Sequence, residues 1–342
     1  MMQKKPLIGL TLEQLRDITD SLGLRSFAAK QIASWLYVKR AVTIEQMTDL
    51  PKAARERLAA EYCIGLSKPK EAATSVDGTV KYLFEGVGGR DIESVFIPDG
   101  ERATICVSSQ AGCKMNCQFC MTGRQGFNGS LTAASIINQI LSIPESRRLT
   151  NIVFMGMGEP LDNLPAVLAV IEILTSNWGM AWSPKRITVS SIGKLRELRI
   201  LLDETKVHVA ISLHNPFATE RAAIMPVERA FPIRDVVSML SNYDFSHQRR
   251  LSFEYIMWNG VNDSLKYAAA LVKLIGKLDC RVNLIRFHAI PDSTLEPSTA
   301  ATMERFRDYL NEHHITATIR ASRGEDIMAA CGMLAGKANA KG

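Results

Sequence analysis

The chain has 342 residues, 46% of them hydrophobic, enough apolar surface for one large domain with a smaller appendage. Its 41 Lys and Arg against 35 Asp and Glu leave a net charge of +6, which is compatible with a polyanionic partner without establishing one. Charged residues interrupt every hydrophobic stretch before it reaches the roughly 18 residues of a membrane span, so no membrane is expected as a partner, and seven cysteines behind no apolar signal segment point to a reducing cytoplasm rather than a disulfide scaffold.

Residues 1–70 read as a small helical domain. Thr11 is a cap-like start for Leu12 onward, apolar residues recur at helical spacing from Phe27 to Arg40, and Pro51 opens a helix from Lys52 to Tyr62. Lys30, Lys39, Arg40, Lys52, Arg55 and Arg57 give this domain a basic surface suited to binding a partner, while Trp35, Leu36 and Tyr37 are assigned to its core. Residues 71–105 form a β extension: apolar and polar residues alternate over Val80 to Glu85, Ile92 to Pro98 and Ala103 to Val107, with Gly and Asp turns between them.

The extension feeds the loop Gly112-Cys113-Lys114-Met115-Asn116-Cys117-Gln118-Phe119-Cys120. Three thiolates at this spacing suit a [4Fe-4S] cubane and leave one iron open for a small molecule to chelate, where an electron-transfer cluster carries a thiolate on every iron. Cys117 and Cys120 alone would be half of a zinc knuckle, but the remaining cysteines supply no second pair; Cys63 and Cys280 are read as structural. The loop resembles that of the radical S-adenosylmethionine (SAM) superfamily, whose open iron binds the amino and carboxylate groups of SAM.

Residues 106–322 are assigned to the core domain, where beyond Thr132 the pattern alternates helix and strand, with strands near Ile152 to Met155, Ile187 to Ser190, Val207 to Leu213, Leu251 to Met257, Val282 to Phe287 and Thr316 to Arg320. Six units fall short of a closed eight-fold barrel, so the expected fold is α/β: a partial (β/α)6 barrel of the radical SAM type with its site at the carboxyl ends of the strands. The segment Met155-Gly156-Met157-Gly158-Glu159-Pro160 meets that mouth; Gly158 lets a ligand approach the backbone and Glu159 can accept from the SAM ammonium. Ser190 and the run Ser212-Leu213-His214 end the next two strands, where they can hold the SAM carboxylate and ribose. Residues 323–342 form a last segment in which Gly324 and Gly332 bracket Cys331, as expected for a loop that swings a sulfur into a site; Cys106, just before the cluster loop, can pair with it. The tail from Lys337 to Gly342 is expected to fray.

Taken together, Cys106 to Cys113, the cluster loop, Gln125-Gly126-Phe127-Asn128, Met155 to Pro160 and Asp326 to Gly332 resemble the RlmN/Cfr family of radical SAM RNA methyltransferases, most closely the RlmN branch. The resemblance covers nearly the whole chain. It implies methylation at C2 of an adenosine in the peptidyl-transferase centre of 23S rRNA, and of an adenosine beside the anticodon in some tRNAs. It implies that Cys113, Cys117 and Cys120 hold one [4Fe-4S] cluster, that Gly158, Glu159, Ser190, Ser212, Leu213 and His214 contact SAM, and that Glu93 is the proton acceptor. It further implies two SAM per turnover: one methylates Cys331, and the other generates the radical that activates the S-methyl group to add to the electron-poor C2. Cys106 then releases the RNA by forming a transient disulfide with Cys331. His288-Ala289 replaces the Asn-Pro that many members carry, so His288 is the candidate for that SAM contact. A monomer, an electron donor such as flavodoxin or ferredoxin, and phosphate contacts from Arg124, Arg221, Arg249 and Arg250 complete the expectations. The competing readings are a Cfr-like C8 methyltransferase, a radical SAM activase or iron-sulfur electron carrier, and a zinc-dependent RNA-binding module.

Overall fold

Local sequence accounts for most of the elements in the computed structural model, which describes residues 4–247, 249–291 and 293–336; the tail expected to fray lies outside the described residues. Thr11 accepts from the Gln14 amide while Gln14 Oε1 accepts from Thr11 N at 2.9 Å, a reciprocal cap that starts the helix Leu12–Ser21. The helix beginning at Ala28 is regular only to Ala33. Its continuation Ser34–Lys39 widens into a π-helix that ends on Arg40 at φ 58°, a departure from the single regular helix read over this region. Leu36 and Tyr37 are buried as expected, and Trp35 is half-buried with its indole N–H donated to Asp49. The third helix runs from Lys52 to Glu61. Strands β1 (Lys5–Pro6) and β2 (Tyr62–Cys63) pair in parallel and join the two ends of this helical region.

The main sheet enters with β3 (Glu71–Thr74), β4 (Val80–Val87), β5 (Arg90–Asp99) and β6 (Arg102–Cys106), all antiparallel neighbours. The chain then leaves it for a hairpin of β7 (Gln110–Gly112) and β8 (Phe127–Ser130), and returns as β9 (Asn151–Phe154), β10 (Ile187–Ser191), β11 (His208–Ser212), β12 (Leu251–Met257), β13 (Arg281–Arg286) and β14 (Thr316–Arg320). The ten strands run in the order β14-β13-β12-β11-β10-β9-β6-β5-β4-β3. β6 belongs to both halves: Cys106 lies opposite Val95 in the antiparallel ladder and opposite Val153 in the parallel one. The parallel part therefore holds β6 as well as the six strands read from sequence, linked by helical crossovers as a partial barrel requires.

Burial explains the strand sequences. All seven residues of β12 are buried, the state of a parallel strand covered on both faces, so Ser252 and Glu254 are anomalies within it. The crossover helix Leu164–Thr175 buries Leu164, Val167, Val170, Ile171, Ile173 and Leu174, each contributing about 1.5–3 kcal/mol by leaving water.

After β14, at one edge of the sheet, the chain crosses to the opposite edge and is strapped there. Asp326 accepts from Ser75 Oγ at 2.5 Å and Val76 N at 3.2 Å, Asp77 accepts from Gly324 N at 2.9 Å, Arg323 pairs with Asp99 at 3.1 Å, and Lys81 donates to the Met328 carbonyl at 3.3 Å. The strap carries Cys331 over the barrel mouth.

Burial alone would raise the Asp77 carboxyl, but its donors Thr79, Gly324 and Ser75 outweigh burial and hold it at about 2; Asp326 is lowered by Ser75 and Val76. Carboxyls lowered in the folded chain stabilise the strap fully above their ordinary range, near pH 4, and that contribution is lost as pH falls toward 2. The protection factor of the Gly324 amide, corrected for intrinsic exchange, is expected to fall between about pH 4 and about pH 2, and to be low already at neutral pH in Asp77→Asn. A pH-independent protection factor contradicts this.

Candidate active site

The carboxyl ends of β9 to β14 surround a cleft of about 150 Å³, bordered by the Cys331 segment. The Cys loop forms one wall because the β7/β8 hairpin holds its base. Cys113 N donates to Gly126 O at 2.9 Å, and Gly112, at φ 75°, lies so close to that carbonyl that a Cβ would sit 1.9 Å from it. The loop is also tied to the strap: Met121 N donates to Gly332 O at 2.8 Å and Thr122 Oγ1 to Leu334 O at 2.6 Å.

Cys113, Cys117 and Cys120 all line the cleft. Burial pushes the Cys113 thiol up to about 12, and burial, then Cys120 and Cys113, raises Cys117 well above its ordinary value. Such thiols become ligands only beside a cationic centre that offsets their ionisation. Among the described residues no three His, Cys, Asp or Glu side chains converge as a single metal ion requires. Three thiols lining one cleft fit a [4Fe-4S] cluster that takes one thiolate on each of three irons and leaves the fourth open.

The remaining wall is polar and held rigidly. Gly158, at φ 97°, is pressed against Gln110, whose Cβ would be 2.4 Å from an added Cβ. Glu159 is buried, with one oxygen accepting from Leu161 N at 3.0 Å and the other from Ile192 N at 3.1 Å; burial raises its carboxyl to about 7 against the lowering by Ser191 and these amides. A cationic ligand group at this carboxylate would offset its burial. Ser190 and Ser212 line the cleft half-buried. His214 holds the left-handed conformation at φ 56°, with its carbonyl accepting from Asn262 and its Nδ1 accepting from Ile256 N at 3.1 Å. Burial, followed by Arg221, lowers its pKa to about 3, so the ring is neutral with its proton on Nε2, a donor available to a ligand.

Leu213 is fully buried and off the cleft wall, its carbonyl accepting from Arg221 and its N–H donated to the Glu254 carbonyl. Cys106 sits behind the wall, 8% exposed, while Cys331 is exposed within the cleft. Two residues face elsewhere. Glu93 lies beneath the strap, paired with Lys81 at 3.0 Å and accepting from Ala335 N at 2.8 Å and Gly336 N at 3.1 Å. His288 is buried 3.3 Å from Glu325 and off the cleft wall.

Two arginines expected to grip phosphates do not face solvent. Arg221 is fully buried, donating to Leu213 O at 2.9 Å and Ser212 O at 2.8 Å and paired with Glu228; it clamps the turn that carries His214. Arg249 is 7% exposed and spent on the carbonyls of Leu202 and Thr205. Unpaired backbone carbonyls beside each site recruited the guanidinium inward. Arg124 and Arg250 are exposed. Sequence reading missed Glu254 and Arg320 on the cleft wall; a carboxylate inside the apolar run Phe253-Glu254-Tyr255 was the available signal for the first.

A partial barrel with three cysteines on the loop after its first strand defines a radical SAM protein, and residues 107–272 match the Radical SAM superfamily. Residues 5–64 match the Ribosomal RNA large subunit methyltransferase N-terminal domain. The chain is 59% identical over 333 residues to a probable dual-specificity RNA methyltransferase RlmN of Bacteroides fragilis, covering 97% of each. It is 40% identical to the dual-specificity RNA methyltransferase RlmN of Syntrophus aciditrophicus, covering 96% of each. The crystal structure of a radical SAM methyltransferase from Sphaerobacter thermophilus superposes with a TM-score of 0.89 at 37% identity, over 96% of this chain and 99% of that one. The chain belongs to the RlmN family.

Alanine at Cys113, Cys117 or Cys120 is expected to abolish the cluster absorption gained on anaerobic reconstitution with iron and sulfide, whereas Cys63→Ala and Cys280→Ala keep it. Undiminished absorption in any of the first three contradicts the assignment. Glu228→Gln leaves the Arg221 charge buried without its counter-ion and is expected to destabilise the fold by about 3–5 kcal/mol in denaturant titration; a change under about 1 kcal/mol, the worth of an exposed pair, contradicts the clamp.

Proposed function

We propose that this protein methylates C2 of an adenosine in the peptidyl-transferase centre of 23S rRNA and of an adenosine beside the anticodon in some tRNAs, using Cys331 as the methyl carrier. The observation that carries this reading is that Cys331 lines the cleft of the three loop thiols while Cys106, behind its wall, lies near enough to feel the Cys331 charge. An activase or electron carrier needs neither of those two sulfurs. When bound at Cys113, Cys117 and Cys120 and beside Glu159, one [4Fe-4S] cluster and SAM supply methyl donation and hydrogen-atom abstraction.

Glu159 faces the SAM ammonium from a carboxylate already fixed by two amides. Gly158, Ser190, Ser212 and the Nε2 proton of neutral His214 hold the rest of SAM, while Leu213 and His288, which lie off the cleft wall, reach it only if the wall rearranges. Cys331 accepts the methyl group and presents it to the adenine, and Cys106 releases the product. Two SAM are used per turnover. Glu93 accepts the C2 proton; its carboxylate first sheds the Ala335 and Gly336 amides, so withdrawal of the strap frees the base and the carrier sulfur together. Residues 1–70 form the RNA-binding domain, ahead of the extension 71–105, the barrel 106–322 and the carrier segment 323–342. The exposed Arg124 and Arg250 contact phosphates of a substrate whose target base is unstacked into the cleft. The protein acts as a monomer fed by flavodoxin or ferredoxin.

Nucleoside analysis of 23S rRNA and tRNA from cells lacking the protein is expected to show loss of 2-methyladenosine from both, restored by the wild-type gene and not by Cys331→Ala; Cys106→Ala is expected to leave a covalent protein–RNA adduct. Loss of 8-methyladenosine instead supports the C8 reading, and methylation retained by Cys331→Ala removes the carrier cysteine.

A further inference from the structure

Two charged side chains on the cleft wall, Glu254 and Arg320, take no part in holding the loop thiols or the Glu159 pocket. Glu254 is 5% exposed, and its Oε1 accepts from Asn283 Nδ2 at 2.7 Å and Ser252 Oγ at 3.1 Å. Those bonds fix the carboxylate so that Oε2, which has no hydrogen-bond partner, lies 3.5 Å from Arg320 Nη1. Desolvating a carboxylate to this degree is costly unless a cation faces it. The guanidinium also spans the barrel mouth: its Nη1 is 3.8 Å from Sδ of Met155, which follows β9, five strands away in the sheet order. The Met155 backbone is itself the hydrogen-bond partner of the Cys106 thiol, and Cys331 lines the same wall. Arg320 thus shares the cleft wall with Cys331 and lies near enough to Cys106 behind it to act on both thiols.

We propose that Arg320 is a positioning residue that keeps the Cys106 sulfur competent to attack Cys331, with Glu254 fixing the guanidinium near enough to act on both thiols. The proposal rests on the carrier-cysteine reading. In the release step the Cys106 thiolate forms a bond to the Cys331 sulfur as the bond from that sulfur to the RNA-borne methylene breaks. The electron pair leaves with the carbon, which takes a proton and becomes the methyl group. Two sulfurs are oxidised to a disulfide by the two electrons the carbon gains, and a dithiol reductant restores them. Only the thiolate attacks, and burial pushes Cys106 up to about 12, a rise that Arg320 opposes. The groups facing Cys106 are Cys331 and Arg320, and those facing Cys331 are Arg320, Glu254 and Cys120.

The test uses reconstituted holoenzyme and its RNA substrate. Arg320→Gln is expected to accumulate the covalent RNA adduct and release it about 10-fold more slowly at neutral pH, the effect of one unit in a thiol pKa, with the pH profile of release moved upward and Arg320→Lys partly restoring it. In RNA-free holoenzyme, Cys106–Cys331 disulfide formation by glutathione disulfide, mapped by mass spectrometry, is expected to slow in parallel. Glu254→Gln, which keeps the guanidinium but loosens it, is expected to lie between wild type and Arg320→Gln in both measurements, and it decides the matter should Arg320→Gln fail to fold. Unmoved pH profiles and disulfide rates in these variants overturn the proposal, as does a raised RNA KM with unchanged release, which would make Arg320 a phosphate contact. Failure of the underlying reading looks different: Cys106→Ala would then methylate fully and trap no adduct.

Discussion

Thiols drawn out of water resist ionisation, and this site is organised around that constraint. Cys113 and Cys117 are pushed up by burial and by their sulfur neighbours, so each becomes a ligand only in company with a positive centre. Everything nearby is consistent with such a centre: a hairpin that fixes the loop, a buried Arg221 beside Cys117, and a neutral His214 that adds no competing charge. The same logic extends to the buried Cys106, where Arg320 is the cation and Glu254 its anchor.

The open barrel poses a second problem, since a reactive centre at an unclosed mouth is exposed to water. The chain solves it after β14 by crossing to the far edge of its own sheet, where Ser75, Val76 and Asp77 hold the strap by hydrogen bonds to Asp326 and Gly324. One segment then does three things. It borders the cleft, places Cys331, and occupies Glu93 through the Ala335 and Gly336 amides. The polar contacts at its near end are joined by apolar ones further on, where Ala329, Ala330, Met333 and Leu334 are buried against the barrel and the cluster loop.

Much of this was legible in the sequence because the elements obey simple periods. The β4 to β6 meander and the later parallel strands carry alternating or continuous apolar residues, and the cluster loop is defined by spacing alone. What escaped did so for physical reasons. β3 is exposed along its whole length and has no apolar period, and β7 and β8 are too short to show one. The π-helical turn at Ser34–Lys39 carries Tyr37 edge-on against Trp178, a contact distant in sequence. Arg221 and Arg249 look like surface cations until the carbonyls they serve, from other elements, are in place. Glu254 and Arg320 lie far apart in sequence, and only the barrel brings them together.

Membership of the RlmN family and the arrangement of the loop thiols make one spectroscopic quantity decisive. Mössbauer spectra of anaerobic protein loaded with iron-57 should contain a cubane cluster with a single iron site whose parameters change when SAM is added, the other sites staying as they were. A cluster whose irons are all indifferent to SAM, or iron bound with no cubane signature, would contradict the account.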